Sequence, residues 1–481
     1  MTLINESNKT LPSLISALVP LFTLVILLSS SVYLFSDNSS YGPNQIALIV
    51  SAFVAALIAI KQGLSWRIIE ASMIKGISLS MGAILILLAV GALIGTWSIS
   101  GTVPTLIYYG LSLLSGNYFY AATCLICAVV ALSIGSSWTV AATIGVALIG
   151  VAQGLGMNEA ITAGAIISGA YFGDKMSPFS DTTNLAPAVT GTDLFSHIRY
   201  MALTSLPSII ITLIVFIFIG IFTTSGAEPA KIVELKNSLK HHFDISLLML
   251  LPLIILLFLA YKKMPAFPAI FLGALIGLVW AVLFQPAALI KLAQSEDPLI
   301  IFQSLWAILF DGVVIDTGLP DLDDLLSGGG MSSMLNTIWL IISAMIFGAV
   351  MEKAGFLAAI IQAIIAKVKT SGGLIASTVA TCIGTNMVTA DQYISIVMPG
   401  RMYKEEYERK GLDNLNLSRT IEDAGTLTSP LIPWNTCGAY MHSVLLVNPF
   451  DYALYCFFNL INPLLAIIYG YMDFKILKNN K

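Results

Sequence analysis

Apolar residues in this chain come in blocks and do not alternate with polar ones. Long apolar runs occupy 14–35, 45–60, 77–96, 201–222, 244–260, 266–284, 334–351 and 450–472. Each is long enough for a helix crossing about 30 Å of hydrocarbon, some with tilt or polar extensions. Two further regions, 118–152 and 372–400, place apolar segments on either side of a short Gly-polar string, which predicts a hairpin that enters the membrane and turns back. Regions 160–191 and 424–447 carry Gly and Ser-Pro in mid-course, which predicts broken helices. Short amphipathic stretches at 103–115 and 355–368 precede the hairpins and predict interfacial helices.

The polar gaps set the orientation. Lys61, Arg67, Lys75, Lys262 and Lys263 lie in short loops, Arg401, Lys404, Arg409, Lys410 and Arg419 crowd one late loop, and Lys475, Lys478 and Lys481 follow the last run. By the positive-inside rule these are cytoplasmic, and so are both termini. Segment 311–333 has Asp311, Asp316, Asp321, Asp323 and Asp324 without Lys or Arg and is expected outside. Residues 223–243, of mixed charge, read as an external linker between halves 1–222 and 244–481; His241 and His242 in it read as solvated loop residues. The first apolar run follows polar Met1–Lys9 without a small-residue cleavage site, so it reads as a first span and not as a signal peptide.

The two halves repeat. G-x-x-x-S-P occurs at Gly173–Pro178 and Gly425–Pro430, which hold the two Ser-Pro dipeptides of the chain. Each is preceded by a polar tip, Gly135-Ser136-Ser137-Trp138-Thr139 and Gly384-Thr385-Asn386 with Thr389, at offsets of 249 (tips) and 252 (motifs). With the basic loops on one side, the first hairpin enters from outside and the second from the cytoplasm. The expectation is an all-α polytopic membrane protein of two inverted repeats, each with a hairpin and a broken helix, with about ten spanning helices in all.

Composition agrees with that class. The chain is 57% hydrophobic and 10% charged, with mean hydropathy +0.88, too little charge to cover a soluble protein of 481 residues. Net charge is −4 and no basic stripe points to nucleic acid. There is no H-E-x-x-H and no G-x-x-x-x-G-K-[ST], which argues against a zinc enzyme and a nucleotide-driven pump. Cys124-x-x-Cys127 lies in an apolar run and reads as ordinary helix. No cofactor and no enzymatic activity are expected, and a homodimer is compatible with such a chain.

Chemistry concentrates where polarity is costly. Ser136, Ser137, Thr139, Thr385, Asn386 and Thr389 carry oxygens suited to a cation; the alternative is small-residue helix packing. That packing suits Gly91/Gly95 and Gly273/Gly277 better, because nothing polar stands beside them. Ionisable groups inside a membrane are functional candidates, which brings in Asp174, Lys175, Asp181 and Asp391. Lys175 is expected to neutralise Asp174, leaving Asp181 with Thr182, Thr183 and Asn184 as the ion site and Ser177 at the break. The second break offers Thr428, Ser429, Trp434, Asn435 and Thr436 but no carboxylate, and Asp391 is as well read as an interface residue. Glu422 and Asp423 read as solvated beside the basic loop, His197 as a cytoplasmic loop residue and His442 as packing. A sodium ion is expected at Asp181, Thr182, Asn184, Ser137 and Asn386. Asp181 would be the carboxylate that holds either sodium or a proton, because a bare buried carboxylate is costly.

Gly173-Asp174-Lys175-Met176-Ser177-Pro178, then Ser180-Asp181-Thr182-Thr183-Asn184-Leu185-Ala186-Pro187, resembles the most characteristic stretch of the NhaC-type Na+/H+ antiporter family. Gly191-Thr192-Asp193 and His197-Ile198-Arg199 extend it, and length and hydropathy resemble the family over nearly the whole chain. The resemblance implies sodium–proton exchange in a bacterial cytoplasmic membrane. A similar branch couples proton–malate uptake to sodium–lactate export, so a small carboxylate stays open as a further substrate.

Overall fold

The computed structural model describes residues 11–35, 38–39, 41–114, 116–223 and 229–479. Residues 1–10, Glu228 and Lys481 lie outside them. Among the described residues the chain is helical without strands. The first half runs through α1 (Leu14–Phe35), α2 (Pro43–Lys61), α3 (Trp66–Leu79), α4 (Met81–Ile99), α5 (Thr102–Leu113), α6 (Phe119–Ile134), α7 (Ser137–Gly154), α8 (Glu159–Met176), α9 (Asp181–Thr190) and α10 (Leu194–Phe222). α11 (Pro229–His242) begins the crossing to the second half, followed by α12 (Leu251–Tyr261), α13 (Ala266–Phe284), α14 (Pro286–Ala293), α15 (Pro298–Asp311) and α16 (Pro320–Leu326). Then come α17 (Leu335–Lys353), α18 (Phe356–Ile365), α19 (Ser371–Thr389), α20 (Gln392–Arg409), α21 (Asn414–Ile421), α22 (Thr436–Leu445) and α23 (Phe457–Tyr471). By length and composition, eight described helices can cross a membrane, or ten if two bent pairs each count as one span.

Backbone punctuation follows a two-fold pattern. Positive-φ residues pair as Gly101/Gly355, Gly135/Ala390, Gly156/Gly411 and Gly191/Leu446, each pair 254 or 255 residues apart. Helix-capping side chains pair 255 apart as Ser136/Asp391, Asn158/Asp413, Ser180/Asn435 and Asp193/Asn448. A cap and a left-handed residue are where a chain must stop and restart a helix, so α4–α10 and α17–α23 are built to one plan. The Gly-x-x-x-Ser-Pro motifs are 252 apart because the second break is longer: Ser177 leads the cap Ser180 by three residues, whereas Ser429 leads Asn435 by six.

Small residues set the packing. α8 lies on α6 so closely that a Cβ at Gly169 would strike the carbonyl of Cys124, and one at Gly173 that of Ala128. Cys124 and Cys127 are buried residues of α6. α13 packs on α4, where the Trp97 indole N–H donates to the Gly273 carbonyl at 3.1 Å, and Gly277 meets Trp97 and Thr96. Gly91 admits a glycine-rich loop, where Gly330 N–H donates to the Gly91 carbonyl at 2.6 Å, and Gly95 faces the end of helix α15 at the Ile308 carbonyl.

Several loop expectations become helix. Residues 61–76, expected as a basic loop between two apolar runs, mostly fall in α3; most of the 223–243 linker is α11, whose Lys236 and Lys240 lie over the Tyr108 ring of α5. His241 and His242 are in its last turn. The acidic 311–333 segment contains α16, with the Asp323 carboxylate accepting from the Thr317 N–H and hydroxyl.

Candidate functional site

Both broken helices stop for local reasons. At the end of α8 the Ser177 N–H turns back to the Asp174 carbonyl, Pro178 cannot donate onward, and Ser180 caps α9 by accepting from Thr183 N–H. The Asn184 amide donates to the Pro178 and Ser180 carbonyls at 2.9 and 2.7 Å and holds the loop. α21 continues as a wide π-turn, Glu422–Thr426, before a tight turn at Ser429–Leu431 and the Asn435 cap of α22.

Each hairpin tip is fastened to the break of its own half. Gly135 (φ +76°) lets the first tip press on the break: a Cβ there would stand 2.7 Å from the Phe179 backbone and 2.8 Å from Ser180 N. The Asp174 carboxylate accepts from the Ser137 N–H at 2.9 Å and its hydroxyl at 2.7 Å. In the second half, Thr436 N–H donates to the Ala390 carbonyl. The Asn386 amide donates to the Gly425 carbonyl and to Thr428, and Asn435 donates to Asn386. The halves meet where Trp138 stacks on Tyr440 at 4.0 Å, with the Tyr440 hydroxyl donating to the Trp138 carbonyl.

The second tip is not at Gly384–Thr389. α19 runs unbroken to Thr389, and the turn is Ala390-Asp391, with Asp391 capping α20 through Ile394 N–H at 2.9 Å. Thr385, Asn386 and Thr389 are therefore buried in a last helical turn, where Thr389 donates to the Thr385 carbonyl.

Both tips and both breaks open on one cavity of about 700 Å³. Among the expected residues, Ser136, Ser137, Thr139, Asp174, Asp181, Thr182, Asn184, Asp391 and Thr436 line it. The sequence reading missed Lys263, Gln392 and Tyr393, which also line it. The remaining expected residues serve the frame. The Ser177 hydroxyl accepts from Phe179 N–H, Thr183 donates to the Lys175 carbonyl, Ser429 to the Thr426 carbonyl, and Asn435 caps α22. Asp181 is not a desolvated carboxylate: as the first residue of α9 it is exposed to the cavity, whereas Asp174 is nearly buried. In the sequence, the expected pairing of Lys175 with Asp174 is what favours the exposed Asp181.

Lys175 instead points away. Its ammonium donates to the Asp423 carboxylate at 2.6 Å, and both side chains are 0% exposed. Asp423 also accepts from Thr204 and from the Asn462 amide, and Arg419 lies 3.9 Å from it with its guanidinium over the Tyr200 ring. Glu422, Asp423 and Arg419 are thus buried and not solvated loop residues, because α21 carries the chain inward from Asp413. His197 is buried too, its Nδ1 within 2.8 Å of the Ser418 hydroxyl. His442 contacts the Val447 carbonyl, a packing role. The overlooked signal was position: Glu422 and Asp423 precede the second Ser-Pro break as Asp174 and Lys175 precede the first.

Comparison with known proteins adds an independent finding. The sequence model described as the Na+/H+ antiporter family matches residues 169–474. The Na(+)/H(+) antiporter NhaC of Alkalihalophilus pseudofirmus is 38% identical, the match covering 90% of each chain. The malate-2H(+)/Na(+)-lactate antiporter of Bacillus subtilis is 37% identical over 96% of this chain and 95% of that one. The arginine/ornithine antiporter ArcD of Halobacterium salinarum is 34% identical over 97% and 93%.

Proposed function

Because the chain belongs to the Na+/H+ antiporter family, we propose that it is a secondary transporter that exchanges sodium ions for protons across the cytoplasmic membrane. The observation that carries this reading is the single cavity into which both hairpin tips and both broken helices open, with the Asp181 carboxylate exposed in it. Asp181 holds sodium or a proton in turn, and Asp391 faces the same space while capping α20. Asp174 positions the first tip through Ser137. The two similar halves, 1–222 and 244–481, lie inverted in the membrane, an arrangement suited to alternating access.

The cavity wall includes Ser80 and Gly82 beside the α3–α4 turn and Lys263, Met264 and Pro265 of the α12–α13 turn. Those turns adjoin the basic loops that the positive-inside rule assigns to the cytoplasm, which supports reading the cavity as open to the cytoplasm and both ends of the chain as cytoplasmic. Broken helices expose backbone ends and caps near mid-membrane, where an ion can exchange water for protein oxygens.

Reconstitution into liposomes with an internal pH dye tests the reading. A sodium gradient should move protons in the wild type, and Asp181→Asn, nearly isosteric, should keep the fold and lose that movement. Wild-type exchange by folded Asp181→Asn would refute the assignment. A second reading, exchange of a small organic acid with sodium and protons, is favoured by a cavity far roomier than one ion needs and by the Lys263 ammonium in its wall. Malate and lactate gradients in the same vesicles separate the two.

A further inference from the structure

Beside the cavity, whose wall Asp174 shares, five ionisable side chains gather where the C-terminal ends of α8 and α21 meet. Lys175 and Arg419 are cationic; Asp174, Glu422 and Asp423 are carboxylates. All are buried, so with every group ionised the cluster is one positive charge short, and an unbalanced charge out of water is costly. The shortfall can be placed. Asp423 has Lys175, Thr204 and Asn462, and Asp174 has Ser137. Glu422 is 0% exposed, and neither of its oxygens reaches hydrogen-bonding geometry with any described residue. Its polar neighbours are the hydroxyls of Thr426 and Thr182, and that of Thr426 is itself buried without a partner. The charges that act on Glu422 from α8 are Lys175, already paired to Asp423, and Asp174. Cys382 faces it from α19, and Arg419 and Asp423 share its own helix.

We propose that Glu422, Thr426 and Thr182 form a second cation site, distinct from the Asp181 cavity, that takes a sodium ion. The chemistry suits a hard monovalent cation: one carboxylate and two hydroxyls supply oxygens only, and no soft ligand is required. The π-turn at Glu422–Thr426 gives the site its shape. It sets Glu422 and Thr426 on one wide turn, and such turns recur at functional sites. Thr182, the second residue of α9, then touches both regions: it lines the cavity and neighbours Glu422, which gives an ion a route between them. The proposal rests on the sodium–proton reading above but adds a separate count of ions.

Equilibrium binding of radioactive sodium to the purified full chain in detergent tests it. The wild type should bind two sodium ions per chain, Glu422→Gln one, Asp181→Asn one, and the double variant none. Should Glu422→Gln fail to fold, as judged by gel filtration and melting, Thr426→Val takes its place. That change keeps shape while removing one ligand, and should weaken one of the two sites roughly tenfold or more, about 1.4 kcal/mol. A folded Glu422→Gln that keeps the wild-type count, or Thr426→Val with unaltered affinity at both sites, would overturn the second site; so would loss of both ions from folded Glu422→Gln. One sodium per wild-type chain, kept by Glu422→Gln, means that a proton balances Glu422 and sinks this proposal alone. No sodium bound to the wild type sinks the sodium–proton reading with it.

Discussion

The Lys175–Asp423 pair joins the two halves through groups 248 residues apart, and removing one partner is the sharpest perturbation available. At 2.6 Å, two unit charges attract by roughly 6 kcal/mol at an effective dielectric of about 20. Desolvation of both ions offsets much of that, so the pair itself is worth far less. Asp423→Asn changes the comparison, because the amide keeps an oxygen for Thr204 and Asn462 but takes from the buried Lys175 ammonium the one carboxylate it is bonded to. Leaving one such charge alone costs about 3–5 kcal/mol. Lys175→Met with Asp423→Asn should regain part of this, since no bare ammonium remains; Arg419, 3.9 Å from Asp423, keeps the recovery incomplete. Reversible unfolding in mixed micelles measures all four proteins of the cycle. A coupling of at least ~1 kcal/mol is expected. An Asp423→Asn protein within about 0.5 kcal/mol of wild type, or singles that simply add, would refute the argument.

Two further outcomes follow from the geometry. Gly135→Ala should destabilise by about 1–3 kcal/mol and slow transport, since φ is +76° and the methyl would lie 2.7 Å from the Phe179 backbone; an unchanged melting temperature would contradict this. Ser136→Cys should react with a membrane-impermeant thiol reagent from the cytoplasmic side, against a low background because all five native cysteines are buried; reaction from outside alone would reverse the proposed state.

Much of this architecture is legible from the chain, and the misses have physical causes. The Gly-x-x-x-Ser-Pro pair marks both breaks because proline and glycine act locally, whatever surrounds them. Gly384-Thr385-Asn386 has turn composition, yet nothing lies within 4 Å of a Cβ at Gly384 and the helix runs through it. The turn that does form puts Ala390 at φ 55°, a conformation that sequence rules assign to Gly or Asn, so composition could not reveal it. Its trace was the cap, Asp391 standing 255 residues after Ser136. Glu422 and Asp423 were harder, since the charge that stabilises Asp423 comes from α8 and adjacency to a basic loop suggested water. Pairing across 248 residues is tertiary information. The cavity likewise draws on α4, α7, α9, α13 and α20, and no local pattern marks Lys263 as part of it.

Two roles for Asp174, fastener of the first tip and direct sodium ligand, predict different mutant behaviour. As a fastener it holds the first tip by accepting two bonds from Ser137, one from the backbone and one from the hydroxyl. As a sodium ligand it would offer the ion the same oxygens. Ser137→Ala removes only the hydroxyl bond, about 1.5–3 kcal/mol for a bond to a charged acceptor, and leaves the carboxylate in the cavity wall. Asp174→Asn removes the charge but keeps an oxygen for the Ser137 N–H. If Asp174 acts only on the tip, both variants should slow exchange, leave sodium affinity within about twofold, and combine without adding, because they break one connection. The first tip should then loosen from the break, raising thiol labelling at Ser136→Cys in both backgrounds. A direct ligand behaves otherwise: Asp174→Asn alone would lower sodium affinity tenfold or more, about 1.4 kcal/mol, and Ser137→Ala would not. The fastener role is expected, because the Asp174 carboxylate is nearly buried and already bonded, whereas Asp181 faces the open cavity. Loss of sodium binding confined to Asp174→Asn would transfer the exchange site from Asp181 to Asp174.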